Sequence, residues 1–443
     1  MYDVLRVAVS SGTATLFFLS NFAIIEAIMD LYEELKSRGL VYQVSSEEGV
    51  KKLLNAEGAS FYAGFDPSAE SLQAGNLLII VTMKRLERAG LKPIVLVGGA
   101  TGLIGDPSFR DKERVLKTEE EVEKNVGAIK NQLSRFFDFD KTAIIVNNYD
   151  WFKNYSFINF IRDIGKKFMI SEMIAKEVVK SRMETGISFT EFSYALIQAY
   201  DFLRINEKYG CELEIGGSDQ WGNITAGIEL ARKTKGKEVF GLTLPLVISA
   251  DGKKFGKSEG NAVWLDDNLT SPYHFYQFWI NTDDKDVAKF LSYYTFLFLE
   301  EIKELESKSE TAPEKREAQK ALAKEVTTFV HGEEAFKNAE KISENLFGGN
   351  IRDLSESDLK QIFTDSSVVK LEKINKTNIA DFLVLAKIVD SKRQAREDVQ
   401  NNAIEINGEK ITEVDYIVSQ KDLLFGQYII AKRGKRDYKF IFL

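Results

Sequence analysis

The chain has 443 residues, a length that suits about three domains. Hydrophobic residues make up 44% of it and only six residues are proline, which is typical of compact globular domains and excludes a mainly disordered chain. The net charge of −8 excludes a surface that is basic throughout, so any binding of nucleic acid must use a local patch.

Cysteine and histidine are both scarce in this chain. Cys211 is the only cysteine, which excludes an intrachain disulfide and suits a reducing, cytoplasmic environment. The only histidines are His274 and His331, and no HExxH motif is present. We therefore expect no zinc site and no resident metal ion.

Residues 1–28 differ from the rest of the chain, because they are apolar and carry a single Arg. The apolar run is interrupted by polar residues and is too short for a membrane span. It also has no basic segment in front of an apolar one. An extension from an upstream start and a targeting signal are both open, and the extension is favoured. An amphipathic helix is then predicted from Met29 to Gly39.

The stretch Phe61–Leu78 reads FYAGFDPSAESLQAGNLL and predicts a strand, a loop and the start of a helix. Pro67 cannot lie inside a central strand, so the strand should end near Phe65. Gly75 lets a ligand approach the backbone, and the N-terminus of a helix suits a phosphate group. An ordinary strand–helix connection without a ligand is the alternative.

Strands and helices alternate from Phe61 to about Ile248. Apolar runs predict strands at 61–65, 94–97, 142–146, 211–215 and 243–248, separated by helices such as 77–89 and 116–137. This alternation predicts a parallel sheet covered on both faces, with ligands at the carboxyl ends of the strands. Three glycine-containing loops carry Asp66, Asp106 and Asp219 at such ends, which suggests a site.

A second glycine-containing stretch, DGKKFGKS at 251–258, carries Lys254 and Lys257. Paired lysines in a mobile loop suit a triphosphate, although a solvated turn is the alternative. Together with the first stretch it resembles the paired signatures of class I aminoacyl-tRNA synthetases, the second being the KMSKS loop. The first, usually His-x-Gly-His, reads Gln73-Ala74-Gly75-Asn76 here, so both histidines are replaced.

Further motifs extend this resemblance from about Met29 to the C-terminus. They are FYAGFDPSAESL, GGATGLIGDPS, NNYDW, ETGISFTEFSYALIQAYDF, IGGSDQWGNITAG, KKFGKS, TSPYHFYQFWINTDD and SKRQAREDVQNNAIEINGEK. In this order they resemble the bacterial-type tyrosyl-tRNA synthetases. The resemblance implies an α/β fold with a Rossmann-like, doubly wound catalytic domain at 29–260 and a helical anticodon-side domain at 261–350. A linker at 351–370 and a small α+β RNA-binding module at 371–443, of a type shared with ribosomal proteins, would follow.

The resemblance also implies a tyrosine pocket. Tyr62 and Asp201 would bind the phenolic hydroxyl, and this family is a standard example of rejecting phenylalanine by leaving such polar groups unpaired. The remaining tyrosine-binding residues would be Asp106, Tyr194, Gln198 and Gln220. The spacings of Tyr194, Gln198 and Asp201, four and three residues, place them on one face of a helix, although such a stripe is also typical of core packing.

The implied reaction has two steps, activation of L-tyrosine by ATP and transfer to tRNA(Tyr). Positioning and charge stabilisation dominate such chemistry, and Mg²⁺ would enter with the nucleotide. ATP would be bound by Asp66, Gly75, Asp219 and Lys257. The catalytic residues would be Ser68, Gln73, Asn76, Arg110, Arg114, Lys254, Lys257 and Ser258.

The C-terminal region is slightly basic. Residues 371–443 contain 13 basic and 11 acidic side chains, and the basic ones are concentrated at 431–439. Basic side chains that contact phosphates contribute affinity rather than sequence readout. The predicted RNA contacts are Lys392, Arg393, Arg396, Lys432, Arg433, Lys435 and Arg436. The alternative is that these residues form a solvated, charged tail that does not bind RNA.

We therefore expect a cytoplasmic tyrosine–tRNA ligase that binds L-tyrosine, ATP and tRNA(Tyr) and no membrane, and that forms a homodimer on resemblance alone. Two other functions stay open. Replacement of both histidines favours a non-catalytic relative that binds tRNA or structured RNA, whereas the intact lysine loop and tyrosine pocket oppose it. An enzyme that passes tyrosyl-adenylate to another acceptor is opposed by the RNA-binding module.

Overall fold

The structure is a computed structural model that describes residues 30–108, 115–183, 186–248, 256–258, 261–363, 368–371, 373–374, 376–434 and 437–443. The extension expected at 1–28 lies outside these residues. The chain divides into two units. One comprises the residues up to Gly256 together with Ala288–Ser307, and the other comprises Lys257–Val287 together with Lys308–Leu443.

A six-stranded sheet forms the centre of the first unit, in the order β1-β6-β5-β2-β3-β4. Its strands are β1 (Gln43–Val44), β2 (Ser60–Phe65), β3 (Lys92–Val97), β4 (Ile144–Asn147), β5 (Leu213–Gly217) and β6 (Phe240–Leu244). Every pairing is parallel except that of β1 with β6. The chain moves outward from β2 to one edge and then returns through β5 to the other, so the predicted doubly wound parallel sheet is confirmed.

The boundaries of two elements differ from the sequence prediction for local reasons. The last parallel strand ends at Leu244 rather than near Ile248, because Pro245 has no N–H for a ladder hydrogen bond. The helix predicted from residue 116 begins at Glu119, because the Thr118 side chain accepts a hydrogen bond from the Glu121 backbone N–H at 3.2 Å. Such a capping box fixes the first turn of a helix.

Helices cover the sheet of the first unit. They are α1 (Leu31–Ser37), α2 (Glu47–Leu54), α3 (Leu77–Arg88), α4 (Gly99–Ile104), α5 (Glu119–Leu133), α6 (Tyr149–Phe152), α7 (Phe157–Asp163), α8 (Ile170–Ile174), α9 (Glu177–Lys180), α10 (Phe189–Tyr209) and α11 (Trp221–Lys235). The long helix α10 packs on α11, and buried side chains from both helices, such as Phe202 and Leu230, form a core with strand residues Tyr62 and Ile94. This core fixes α10 over the sheet.

The region expected to be helical between 270 and 350 is confirmed as helical. Its helices are α12 (Pro272–Ile280), α13 (Asp284–Tyr294), α14 (Leu299–Thr311), α15 (Glu317–His331) and α16 (Glu333–Phe347). The boundary between the two units falls within α13 and within α14. In the second unit, α12 packs against both α15 and α16, so these three helices form a bundle.

The C-terminal part of the second unit contains a five-stranded sheet in the order β12-β11-β14-β15-β9. Strands and helices of this unit, in chain order, are β7 (Lys257–Ser258), β8 (Asn261–Ala262), α17 (Glu356–Ile362), β9 (Val369–Lys370), β10 (Thr377–Asn378), α18 (Ile379–Leu385), α19 (Lys392–Gln400), β11 (Ile404–Ile406), β12 (Glu409–Lys410), β13 (Ile417–Val418), β14 (Tyr428–Arg433) and β15 (Asp437–Phe442). The turn expected at Asn407-Gly408 joins β11 to β12, with φ values of 49° and 83°, as a tight hairpin requires.

The helical bundle and the C-terminal sheet share one apolar core, which we call the shared core. It contains Tyr273 of α12, Leu346 of α16, Leu359 of α17, and Tyr428 and Ile430 of β14. Residues 351–362, which the sequence places in a polar linker, differ from that expectation. Apolar side chains at 351, 354, 359 and 362 are buried in the shared core, and their spacing is close to the helical period.

None of the helices in the described part of the chain is long and apolar enough to cross a membrane. A cytoplasmic location stays a prediction.

Candidate functional site

A cavity of about 320 Å³ opens in the first unit at the carboxyl ends of β2, β3, β5 and β6. This is where an open parallel sheet binds ligands. The cavity brings together most of the site residues that the sequence predicts for tyrosine and ATP. Those that line it are Tyr62, Asp66, Ser68, Gln73, Gly75, Asn76, Asp106, Tyr194, Gln198, Asp201, Asp219 and Gln220.

Asp66 lies where β2 ends and is held from two sides. One carboxylate oxygen accepts a hydrogen bond from the Thr101 hydroxyl at 2.6 Å, and the other accepts one from the Tyr194 hydroxyl at 2.7 Å. A Cβ atom on Gly98 would collide with both Asp66 and Thr101, so this close approach requires glycine. Burial and then the nearby Asp66 charge raise the pKa of Tyr194, which stays a neutral donor.

Asp201 lies on the cavity-facing side of α10, where it is 1% exposed. Its carboxylate accepts hydrogen bonds from the Asn148 side-chain amide at 3.0 Å and from the Trp151 indole N–H at 2.8 Å. Burial raises the pKa of the Asp201 carboxyl well above its ordinary value, and these two hydrogen bonds oppose that rise. Asn148 and Trp151 belong to the NNYDW motif, but the sequence did not assign them to the site.

Glu214 is a second buried carboxyl group in the same cavity, 3% exposed. It lies on β5 directly opposite Tyr62 on β2, and it accepts a hydrogen bond from the Gln198 side-chain amide at 3.1 Å. Burial raises its pKa to about 7. Sequence reasoning missed this residue because it reads as part of a strand, yet a glutamate within the apolar run 211–215 was a usable signal.

Asp106 and Gln220 are also in contact. The Gln220 side-chain amide donates to one Asp106 oxygen at 2.6 Å, and the other oxygen accepts from the backbone N–H and the hydroxyl of Ser108 at 2.9 and 2.7 Å. Two loops that follow different strands therefore meet across the cavity, as the sequence predicts for Asp106 and the loop at 216–223.

The two signature stretches meet as well. The Asn76 side-chain oxygen accepts a hydrogen bond from the Gln73 backbone N–H at 3.0 Å, which leaves the NH₂ group of Asn76 as the donor at this end of the cavity. Gly256 has a φ of 90°, and a Cβ atom built on it would lie 3.0 Å from the backbone nitrogen of Gly75. The chain at Gly256 thus passes directly over the N-terminus of α3.

Five of the predicted site residues lie outside the described part of the chain, namely Arg110, Arg114, Lys254, Lys435 and Arg436. Lys257 and Ser258 form β7, which pairs with β8.

The basic residues predicted to contact RNA lie in the second unit. Lys392, Arg393 and Arg396 are exposed on α19. Arg433 of β14 lies next to that helix, because its Nε atom is 2.8 Å from the Asp398 carboxylate. Lys432 pairs with Glu405 at 3.1 Å, so basic and acidic side chains are interspersed on this face.

Comparison with known proteins agrees with this arrangement. The family model described as tRNA synthetases class I (W and Y) matches residues 54–348, and the one described as tyrosine–tRNA ligase SYY-like C-terminal domain matches residues 358–441. Tyrosine–tRNA ligase 2 of Enterococcus faecalis is 55% identical over 410 residues, covering 92% of this chain and 98% of the relative. The chain belongs to the bacterial-type tyrosyl-tRNA synthetases.

Other members of the tyrosyl-tRNA synthetase family are similar over the same span. Tyrosine–tRNA ligase 1 of Bacillus subtilis is 54% identical over 414 residues, covering 92% of this chain and 98% of the relative. Among solved structures, a C-terminally truncated mitochondrial tyrosyl-tRNA synthetase of Aspergillus nidulans aligns with a TM-score of 0.65 and 29% identity. That alignment covers 71% of this chain and 93% of the fungal one.

Proposed function

We propose that the chain activates L-tyrosine with ATP and transfers the tyrosyl group to tRNA(Tyr). The observation that carries this proposal is the cavity lined by Tyr62, Gln198 and Asp201 and by Gln73, Gly75 and Asn76. The first three residues form one end, and the other three form the second end, where Gly256 lies next to Gly75. We call these the tyrosine end and the phosphate end.

In the first step an oxygen of the tyrosine carboxylate attacks the α-phosphorus of ATP. The bond from that phosphorus to the β-phosphate oxygen breaks, and pyrophosphate leaves. In the second step a hydroxyl group of the terminal adenosine of tRNA attacks the tyrosyl carbonyl carbon, and AMP leaves. Because the chemistry takes place between the substrates, the protein contributes chiefly position and charge.

At the tyrosine end, Tyr62 and Asp201 bind the phenolic hydroxyl. Asn148 and Trp151 hold the Asp201 carboxylate in place before substrate arrives, so little reorganisation is needed on binding. Asp106, Tyr194 and Gln198 bind the ammonium group, and Gln220 approaches the carboxylate that reacts. The buried carboxyl groups suit a positively charged ligand, because an unpaired buried charge is costly.

At the phosphate end, the NH₂ groups of Gln73 and Asn76 donate to phosphate oxygens in place of the histidines that this signature usually carries. Asp66, Gly75 and Asp219 contribute to ATP binding. Ser68, Lys257 and Ser258 hold the pyrophosphate group, together with Arg110, Arg114 and Lys254. Mg²⁺ accompanies the ATP phosphates. Neutral amide donors stabilise developing charge less than charged ones, so activation is slow but not absent.

The C-terminal module contributes to tRNA binding through Lys392, Arg393, Arg396, Lys432, Arg433, Lys435 and Arg436.

Exposed apolar side chains between residues 157 and 189 support a homodimer. Phe157, Ile158 and Phe189 are 63%, 71% and 66% exposed, and such groups mark an interface with another chain. Light scattering that gives the mass of a monomer at micromolar concentration would reject the dimer.

Tyrosine-dependent exchange of pyrophosphate into ATP tests the proposed activity directly. We expect exchange above background only when tyrosine is present, followed by charging of tRNA(Tyr). Binding of tRNA without exchange in a folded protein would favour the non-catalytic function instead.

A further inference from the structure

The side-chain oxygen of Gln198 is buried and has no hydrogen-bond partner within the described part of the chain. Gln198 lines the cavity, as do Tyr62 and Glu214, whose hydroxyl and carboxyl groups interact with each other. A buried polar atom without a partner costs free energy, and such atoms are uncommon in folded proteins. The position of the Gln198 oxygen on a cavity wall indicates that a ligand provides its partner.

The contact between Gln198 and Glu214 restricts how the amide of Gln198 can turn. An amide presents NH₂ on one side and oxygen on the other, and a rotation by about 180° exchanges them. Above a pH of about 7 the Glu214 carboxyl group is ionised, and an ionised carboxylate only accepts hydrogen bonds, so it can then face only the NH₂ side. The observed hydrogen bond, from Gln198 Nε2 to Glu214 Oε1 at 3.1 Å, therefore directs the amide oxygen away from Glu214.

We propose that Glu214 is a positioning residue that fixes the Gln198 amide so that its oxygen accepts a hydrogen bond from the ammonium group of tyrosine. This proposal rests on the proposed function, because it assigns tyrosine to this end of the cavity. An ammonium group only donates hydrogen bonds, and an amide turned the other way would present NH₂ to it. Glu214 thus decides whether Gln198 attracts or repels the substrate.

The position of Glu214 on the sheet makes it suitable for this role. It belongs to a strand paired on both sides, with Tyr62 of β2 opposite on one side and Gly241 of β6 on the other. A side chain on a central strand has little freedom to move. Gln198 lies on α10, which packs over the same sheet, so the hydrogen bond joins two elements of one core.

The test replaces Glu214 by its neutral isostere. In Glu214→Gln the new amide can accept from Gln198 or donate to it, so the orientation of Gln198 is no longer fixed. Above a pH of about 7, where Glu214 is ionised, we expect the KM for tyrosine in pyrophosphate exchange to rise about 10-fold, with kcat changed by less than about 2-fold. Glu212→Gln is the matched control, because it removes a carboxylate two residues away that does not line the cavity.

The same change made in a Gln198→Ala protein shows whether Glu214 acts through Gln198. In Gln198→Ala protein the added Glu214→Gln change should raise the KM by less than about 2-fold, since the amide to be positioned is gone. If the roughly 10-fold effect persists in that background, Glu214 contacts the substrate by itself or acts through packing, and the positioning role is rejected.

Two ligands give an independent readout. Tyramine has the ammonium group of tyrosine, whereas 3-(4-hydroxyphenyl)propanoate lacks it. By calorimetry, Glu214→Gln should weaken the binding of tyramine about 10-fold and leave that of the propanoate unchanged. Equal losses for both ligands would contradict the inference. Circular dichroism in the near ultraviolet, with the thermal midpoint, checks that each variant is folded.

The outcomes separate this inference from the function on which it rests. Absence of tyrosine-dependent exchange in the unmodified chain overturns the proposed function. Normal exchange in the unmodified chain, combined with an unchanged KM in Glu214→Gln, overturns the role of Glu214 alone.

Discussion

The two ends of the cavity are built in different ways. At the tyrosine end the polar groups lie on central strands and on the long helix α10, and Tyr62, Asp201 and Glu214 are buried. Hydrogen bonds such as that from Trp151 to Asp201 already join these groups. At the phosphate end the groups lie on a short turn before α3 and on a loop that approaches it at Gly256. A rigid core preorganises the first end, whereas the second depends on short polar segments. We therefore expect a change of residue type to cost less at the phosphate end than at the tyrosine end.

The largest expected effect tests the preorganised end. Enzymes of this family favour tyrosine over phenylalanine by about 10⁵ in kcat/KM, because phenylalanine leaves buried polar groups unpaired, and we expect the intact chain to share this preference. Asp201→Ala removes one of these groups, and we expect the preference to fall by at least about 100-fold, that is by about 2.7 kcal/mol. Pyrophosphate exchange with both amino acids measures it.

Asp163→Ala on the exposed helix α7 is the control for Asp201→Ala, because it removes an aspartate whose side chain is 44% exposed. The preference of the Asp163→Ala protein for tyrosine over phenylalanine should match that of the unmodified chain. If Asp201→Ala keeps full discrimination, the phenol is not recognised at this end and the contrast between the two ends fails.

At the phosphate end the expected change is a gain. Gln73→His restores a donor that can carry charge, and a charge-assisted hydrogen bond exceeds a neutral one by about 1 kcal/mol or more. We expect activation to become about 10-fold faster, with tyrosine affinity unchanged because the contact is made mainly in the transition state. Single-turnover formation of tyrosyl-adenylate measures the rate.

Gln427→His serves as the control for Gln73→His, because Gln427 is an exposed glutamine of the second unit that does not line the cavity. An unchanged activation rate in Gln73→His would mean that position 73 does not contact the phosphates.

A smaller effect concerns stability and pH. Burial raises the pKa of Glu214 to about 7, above the ordinary glutamate value, so the folded state holds a proton that the unfolded state has released. Its contribution to stability is fully present below about pH 4.5 and is lost as the pH rises towards 7. The groups around it are Tyr62, Gln198, Asp201 and Cys211.

Between about pH 5 and pH 8 we therefore expect the free energy of unfolding to fall by about 2–3 kcal/mol more in the unmodified chain than in Glu214→Gln. Urea unfolding at both pH values measures this difference. Parallel pH profiles for the two proteins would show that the carboxyl group is not buried as described.

A change in the second unit should leave the activity at the cavity unaltered and weaken only tRNA binding. Arg396→Glu on α19 reverses an exposed charge, and we expect weaker tRNA binding with a salt slope lower in magnitude by about 1. Exchange should be unchanged. Lys410→Glu on β12, also exposed, is the comparison on another surface. Loss of exchange in folded Arg396→Glu protein would show that the first unit depends on this residue.

The sequence predicts the sheet well because its strands are apolar runs separated by helices, and it predicts much of the cavity because each strand-end loop carries a polar residue. It marks Glu214 only as a glutamate inside an apolar run, and the role of this residue in the site depends on the tertiary packing that brings it opposite Tyr62. It also does not show that residues 351–362 are buried. Their apolar side chains have nearly helical spacing but are few, and their burial depends on strands that follow more than 60 residues later.

The shared core has a consequence for the order in which the chain becomes folded during synthesis. The bundle helices leave the ribosome first, but the side chains that cover their apolar face, among them Tyr428 and Ile430, follow about 80 residues behind Leu346. At about 5–20 residues per second this gap lasts several seconds. Until Tyr428 and Ile430 have emerged, the nascent chain therefore carries an uncovered apolar face, to which chaperones or neighbouring chains can bind.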